Sequence, residues 1–268
     1  MTAMTSPIAL APTRAAAPRP ESGLCYPDCP YCRGVGYVRY DVPLEDPRFG
    51  RLEMCPNARR RALETSLARG EIDPRVGLSA QEIREMTWDM VRDGVNDAPL
   101  ARRALQAAYE TGYGLVFLYG ASGQAKTLLL KIAVSTAFRD GKTAAYADMR
   151  AVLDDVRLAY DERENKQSEL ARRMEWWCAR DILAIDEFDK TNSTDWALER
   201  MFQLVDQRYQ RAVRREALTV IAANYDRTDE LSAYLRSRIE DNRFAARGWV
   251  VHLDGPDGRR FAPLDWSY

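Results

Sequence analysis

The sequence predicts an α/β fold, a parallel sheet between helices, with a small cysteine-bearing module before it. Three observations lead there. Short apolar runs at 115–118, 143–147, 181–188, 217–224 and 249–253 alternate with helical stretches. Strands joined in that way lie parallel, with helices covering both faces of the sheet. The first run opens into Tyr119-Gly120-Ala121-Ser122-Gly123-Gln124-Ala125-Lys126-Thr127, and Leu128 begins an apolar stretch that reads as a helix. Four of the five cysteines stand before residue 56, ahead of every sheet-forming run.

Size and charge narrow the reading. With 268 residues, 46% hydrophobic and 29% charged, the chain can bury the core of one ordinary α/β domain and still carry appendages. The net charge of −1 gives no bulk basicity, so any DNA contact must come from a local patch, for which the arginines are available. No apolar run is long enough to cross a membrane. Residues 1–22 are rich in Ala, Pro and Thr and have no apolar h-region, which argues against a secretory signal. Their arginines and scarcity of acids resemble a transit peptide faintly; a disordered tail and a cytoplasmic protein are the expectation.

Cys25, then Cys29-Pro30-Tyr31-Cys32-Arg33-Gly34-Val35-Gly36, form a knuckle in which the turn aims two thiolates at one metal. A second cysteine pair normally completes such a tetrahedron. Here Cys55 stands alone, with Asn57 and Ala58 where another cysteine is expected, and Cys25 can supply the fourth ligand. Structural Zn²⁺ on Cys25, Cys29, Cys32 and Cys55 competes with a metal-free degenerate ribbon, with redox chemistry and with a disulfide framework. The missing signal argues against disulfides. His252, the single histidine, is far off in sequence, and Cys178 beside Trp176 and Trp177 reads as a core residue.

The run Arg59-Arg60-Arg61 opens a polar helix that Gly70 stops, most simply a solvated face, although it could touch a phosphate backbone. Asp73-Pro74 begins a linker, and Ser79-Ala80-Gln81-Glu82 offers a capping box. A new domain starts near Met86. Residues 99–111 form a helix with Pro99 in its first turn and Gly112 just past its end.

The glycine-bearing turn comes next. Glycines let the backbone curl so that N–H groups point at phosphate oxygens, a lysine reaches the β- and γ-phosphates, and a hydroxyl holds Mg²⁺ at a helix N-terminus. Gly120, Ser122, Gly123, Gln124, Ala125, Lys126, Thr127 and Leu128 are the candidate ATP-binding residues, with Thr127 toward Mg²⁺. Ala125 departs from the pattern, which wants glycine there, and puts a methyl close to the phosphates. A chance Gly/Ser turn before a helix is the plain alternative.

Further on, helices are expected over 149–160 and up to Trp177, with a charged turn at 162–166 between them. The run 181–188 ends in Asp186-Glu187, as a Mg²⁺-holding and water-polarising pair requires. A helix over 194–212 precedes the strand ending at Asn224, a residue able to orient the lytic water or simply to supply turn chemistry. The helix over 231–239 ends in Arg236 and Arg238, which either compensate its C-terminal dipole or reach a neighbouring subunit's γ-phosphate. The final strand at 249–253 leads to a turn with Arg259 and Arg260, and little sequence remains for a helical lid.

In this order the elements resemble the DnaC/IstB group of AAA+ ATPases, replicative-helicase loaders and ATPase subunits of certain transposons. Met86-Thr87-Trp88-Asp89, 120–127, Ile185-Asp186-Glu187, 219–224 and Ser237-Arg238-Ile239 carry the resemblance. It implies an arginine finger at Arg238, with Arg236 as second candidate, and a terminal basic element at Arg259 or Arg260. The cysteine module resembles the cysteine-rich region of phage and mobile-element relatives. The resemblance further implies homo-oligomers with ATP between subunits, DNA in a central channel (single-stranded ahead of double-stranded), and a replicative helicase or transposase bound by the N-terminal region. The expected organisation is a tail (1–22), a zinc-ribbon-like module (23–58), a helical linker (59–85) and an AAA+ ATPase domain (86–268). Helicase loading, a transposase's ATPase partner, and a DNA-binding adaptor that scarcely hydrolyses ATP are the competing functions. Ala125 motivates the last, while Asp186, Glu187 and Arg238 argue against it.

Overall fold

The computed structural model describes residues 7–8, 23–46, 49–93, 96–161, 166–190, 194–226, 228 and 231–258. The turn with Arg259 and Arg260, residues 162–165, and the expected tail apart from 7–8 lie outside them. The chain falls into two compact units, Met1–Glu71 with Arg139–Lys142, and Ile72–Phe138 with Thr143–Tyr268.

In the first unit, β1 (Pro7–Ile8), β2 (Tyr37–Tyr40) and β3 (Glu53–Met54) form an antiparallel sheet in that order. Cys55 then caps α1 (Pro56–Arg69), which starts on proline, the residue whose missing N–H costs a first turn nothing, and ends at Gly70. The buried cluster is Cys25, Cys29, Cys32, Val38, Cys55 and Ala58. So small an apolar set does little to hold a fold without a crosslink or a metal.

The second unit begins with α2 (Ala80–Glu85), where the capping box forms: Glu82 N donates to Ser79 Oγ at 3.1 Å and Ser79 N to Glu82 Oε2 at 2.8 Å. Then follow α3 (Ala98–Thr111), β4 (Gly114–Gly120), α4 (Lys126–Arg139), β5 (Ala144–Asp148), α5 (Met149–Arg157), α6 (Lys166–Cys178), β6 (Ile182–Asp186), α7 (Asp195–Val213), β7 (Leu218–Ala223), α8 (Ala233–Ile239), α9 (Asn242–Ala245) and β8 (Val250–Leu253). The five strands β4 to β8 run parallel in the order β5-β6-β7-β4-β8. Leu115 to Leu118, all of β6 and all of β7 are buried, which is why they read as unbroken apolar runs.

Two differences from the sequence expectation have local causes. The helix expected to reach Tyr160 tightens after Arg157 into a 3₁₀ turn, Leu158–Asp161. The short α9 was not expected; Asp241 caps it by accepting from Arg243 N at 2.9 Å, and four residues are too few to show a helical period. Among the described residues no helix is long and apolar enough to cross a membrane.

The topology marks one place for a ligand. From β4 the chain crosses to β5 and returns through β6 and β7, then passes to β8 on the far side of β4. The carboxyl end of β4 is therefore where the strand order reverses, the position at which open α/β sheets bind ligands.

Candidate functional site

The glycine-bearing loop occupies that position, between β4 and α4. Protein neighbours, as well as any phosphate, require its glycines. A Cβ on Gly120 would lie 2.1 Å from the Leu253 carbonyl oxygen, and one on Gly123 would lie 2.0 Å from Asp257 Oδ1. The segment after β8 is laid over the loop: Gly258 N donates to Gly123 O at 3.0 Å, and the buried Gln124 donates through Nε2 to Gly255 O at 2.7 Å. Ala125 takes φ +59°, the left-handed conformation that the usual glycine adopts freely. The loop keeps the glycine shape and bears a strain of roughly 1–2 kcal/mol for its methyl.

Lys126 and Thr127 open α4. The Lys126 ammonium donates to the carbonyls of Gly120 at 2.6 Å and Ala121 at 2.7 Å, so it lies across its own loop. Thr127 Oγ1 donates to Asp186 Oδ2 at 2.6 Å, joining the loop to the end of β6. Asp186 is buried, and it also accepts from the Tyr146 hydroxyl on Oδ2 (3.1 Å) and from Glu187 N on Oδ1 (2.8 Å). Ser122 is exposed at the loop's tip, and Leu128 is half-buried in the first turn of α4. A glycine-bearing loop at a helix N-terminus, a cation lying across it, and a hydroxyl hydrogen-bonded to a carboxylate fit a nucleotide's phosphates and a hard divalent ion.

Glu187 follows with φ +47°, a second non-glycine residue in the left-handed region. Its carboxylate accepts from Arg150 Nη2 at 2.9 Å and from Lys190 Nζ at 2.6 Å. The hydrogen bond and charge of Glu187 raise the Lys190 ammonium above its ordinary pKa. Asn224, just past β7, is tied to the turn after β6: its N–H donates to Asp189 Oδ1 at 2.9 Å, and its amide lies 3.4 Å from the same carboxylate. Arg238 stands apart from this group. Its guanidinium lies 3.7 Å from the Tyr234 ring centroid and bonds Asp206 Oδ1 at 3.1 Å, contacts with α8 and α7.

Loop and acid are thus brought together as the spacing predicts, while Tyr146, Arg150 and Asp189 were missed. Tyr146 reads in sequence as one more apolar strand position. The other two are common surface residues whose partners only the fold supplies.

In the first unit the sulfurs of Cys25, Cys29, Cys32 and Cys55 all lie within 4.8 Å of one another, and all four cysteines are buried and unbridged. Sulfurs on a tetrahedral zinc stand about 3.8 Å apart; Cys29 and Cys55 are separated by 3.6 Å. Asn57, where another cysteine was expected, donates its amide to Cys29 Sγ at 3.3 Å, and Gly36 N donates to Cys32 Sγ at 3.3 Å. Burial pushes the Cys25 thiol up. At Cys29 burial acts the same way, but the N–H groups of Cys32 and Tyr31 and the Asn57 amide outweigh it and bring the thiol down to about 6. Cys178 lies elsewhere, a core residue whose thiol burial raises to about 12.

Comparison with known proteins bears on the fold. Residues 116–246 match the ATPase family associated with various cellular activities (AAA). No curated protein matches the chain. Among solved structures it is similar to AMPPCP-bound DnaA from Aquifex aeolicus, with 20% identity and a TM-score of 0.51 over 66% of this chain and 52% of that one. It is equally similar to the replication initiator DnaA bound to AMPPCP and single-stranded DNA, with 20% identity and a TM-score of 0.53 over 66% and 52%. The DnaC helicase loader aligns at 16% identity and a TM-score of 0.47, over 63% of this chain and 96% of that one. The chain spans about half the length of the DnaA structures that it matches, 52%. At such identities the likeness to DnaA speaks of the fold. Residues 116–246 thus resemble the AAA family in sequence and form part of a five-stranded parallel α/β fold, in a chain that carries a four-cysteine cluster earlier in its sequence.

Proposed function

We propose that the protein binds and hydrolyses Mg·ATP and acts on DNA as a loader of a replicative helicase. The observation that carries the ATP reading is the 2.6 Å hydrogen bond from Thr127 to Asp186, which sets hydroxyl and carboxylate where one divalent ion can meet both. Magnesium, when bound, neutralises phosphate charge that develops during transfer. Lys126 leaves the carbonyls of Gly120 and Ala121 for phosphate oxygens, and the N–H groups of 123–127 hold the remainder. Glu187 takes the proton of the attacking water on a carboxylate oxygen, for which its pairs with Arg150 and Lys190 must loosen. Asn224 aids in orienting that water, and Arg238 leaves Asp206 to stabilise charge on the nucleotide of an adjacent copy. The reading thus requires a homo-oligomer with ATP at subunit interfaces.

Single-stranded DNA as the ligand is supported by the motif resemblance and by the DnaA structure that contains both AMPPCP and single-stranded DNA. Four convergent, buried cysteines support one structural Zn²⁺, with no coordination position left open for chemistry. The test is ATP hydrolysis by the purified protein with and without single-stranded DNA, with Lys126→Ala and Glu187→Gln as controls. DNA-stimulated turnover is expected. Lys126→Ala should abolish ATP binding, and Glu187→Gln should keep binding but stop turnover. Tight binding without turnover under either condition would overturn the motor reading in favour of a nucleotide-gated adaptor.

A further inference from the structure

Tyr146 belongs to no motif, yet it touches the centre of the proposed site. It lies on β5, the edge strand, opposite Ala184 of β6, while Asp148 lies opposite Asp186. Residues two apart on a strand share a face, so Tyr146, Ala184 and Asp186 project to the same side of the sheet. The small Ala184 leaves room for the phenol to reach along β6 to Asp186 Oδ2, at 3.1 Å. The Lys131 ammonium lies over the ring, 5.4 Å from its centroid, and Glu82 holds that ammonium at 2.8 Å. Glu82 is itself fixed by the capping box at the start of α2. The phenol thus has a cation over its ring and a carboxylate at its hydroxyl. The hydroxyl donates its proton to that carboxylate oxygen.

We propose that Tyr146 is a positioning residue whose hydroxyl, together with Thr127, holds the Asp186 carboxylate in the orientation that a divalent cation on the nucleotide requires. This rests on reading the site as one for Mg·nucleotide. Without the phenol, Oδ2 keeps the Thr127 hydroxyl alone, and that hydroxyl is the group that must also offer a lone pair to the cation. The carboxylate then turns more freely about its own axis, and the loss falls on the cation. Phosphate binding by the loop does not pass through Tyr146.

The experiment follows binding of a fluorescent ATP analogue to the full chain, first in EDTA and then across a Mg²⁺ titration. Tyr146→Phe should raise the Mg²⁺ concentration at half-saturation about tenfold, the usual scale for losing an outer partner of a metal-ligating group. Binding of the analogue in EDTA should stay at the wild-type value. Tyr146→Leu, which lacks the ring as well as the hydroxyl, should show the same Mg²⁺ shift together with a lower thermal midpoint. Should Tyr146→Phe lower the midpoint while leaving the Mg²⁺ dependence at the wild-type value, the phenol is a packing group and the proposal fails. Should the wild-type protein bind the analogue without any Mg²⁺ dependence, the site reading beneath the proposal fails, and the proposal with it.

Discussion

At the scale of single residues, the candidate site concentrates backbone strain. Ala125 and Glu187 are two of the four non-glycine residues with positive φ among those described, and both flank the hydrogen bond between Thr127 and Asp186. Strain of this kind persists where surroundings over-determine the backbone, often at working sites. Ala125 gives the cleaner test because the change that relieves it is small. Glycine at 125 removes a left-handed penalty of roughly 1–2 kcal/mol but costs roughly 0.5–1 kcal/mol in the freedom of the unfolded chain. The balance favours the variant by about 0.5 kcal/mol, which raises the thermal midpoint by about 1–2 °C in a chain of this size. It also takes a methyl away from the phosphates. Ala125→Gly is therefore expected to melt slightly higher and to bind ATP more tightly, read by differential scanning and by titration with a fluorescent analogue. A lower midpoint together with weaker binding would mean that the methyl makes a favourable contact instead.

Among the elements, α7 shows how β6 and β7 are locked at the end opposite the candidate site. Arg208 is fully buried and spreads its guanidinium over Thr219 Oγ1 (2.8 Å) and the carbonyls of Cys178 (2.8 Å), Arg180 and Leu218. Removing it strands several buried acceptors, each costing about 1–3 kcal/mol, with partial relief from water. Arg208→Met should lower the free energy of unfolding in urea by about 3 kcal/mol. Arg208→Lys should recover little of that, because one ammonium cannot span a planar fan of acceptors. A lysine variant as stable as wild type would show that the charge matters and the fork does not. The same residue shows where sequence reading stops. The strands at 115–118 and 181–188, the helix starting at Pro99 and the capping box at Ser79 are legible because periodicity and turn chemistry are local. The union of Thr127 with Asp186 is legible because a motif encodes it. Arg208 reads as part of a polar helix face, Tyr146 as strand filler and Arg150 as a surface charge. Their roles depend on residues 11, 40 and 37 positions away, Thr219, Asp186 and Glu187, which only the sheet order brings near.

For the whole molecule, the two compact units differ in what can hold them. The unit with β4 to β8 has a continuous apolar core through its sheet. The unit with β1 to β3 buries chiefly four cysteines, Val38 and Ala58. Their thiols are also poor neighbours without a cation: Cys29 ionises at about 6, while burial holds Cys25 and Cys55 up. A Zn²⁺ ion resolves this by taking all four as thiolates, and its binding free energy then becomes folding free energy for that unit. The purified protein is therefore expected to contain about one zinc per chain, as structural four-thiolate sites do. A strong chelator, or Cys25→Ser, should then abolish hydrogen-exchange protection across α1 and β2 while β4, β6 and β7 stay protected. Nucleotide binding should survive the same treatment, because none of the loop or acid residues belongs to the cysteine unit. Metal-free protein with full protection of α1 would sink the zinc assignment and leave the ribbon as a metal-free relic. Loss of protection in both units at once would mean instead that they fold cooperatively, and the zinc would then stabilise the ATP site as well as the ribbon.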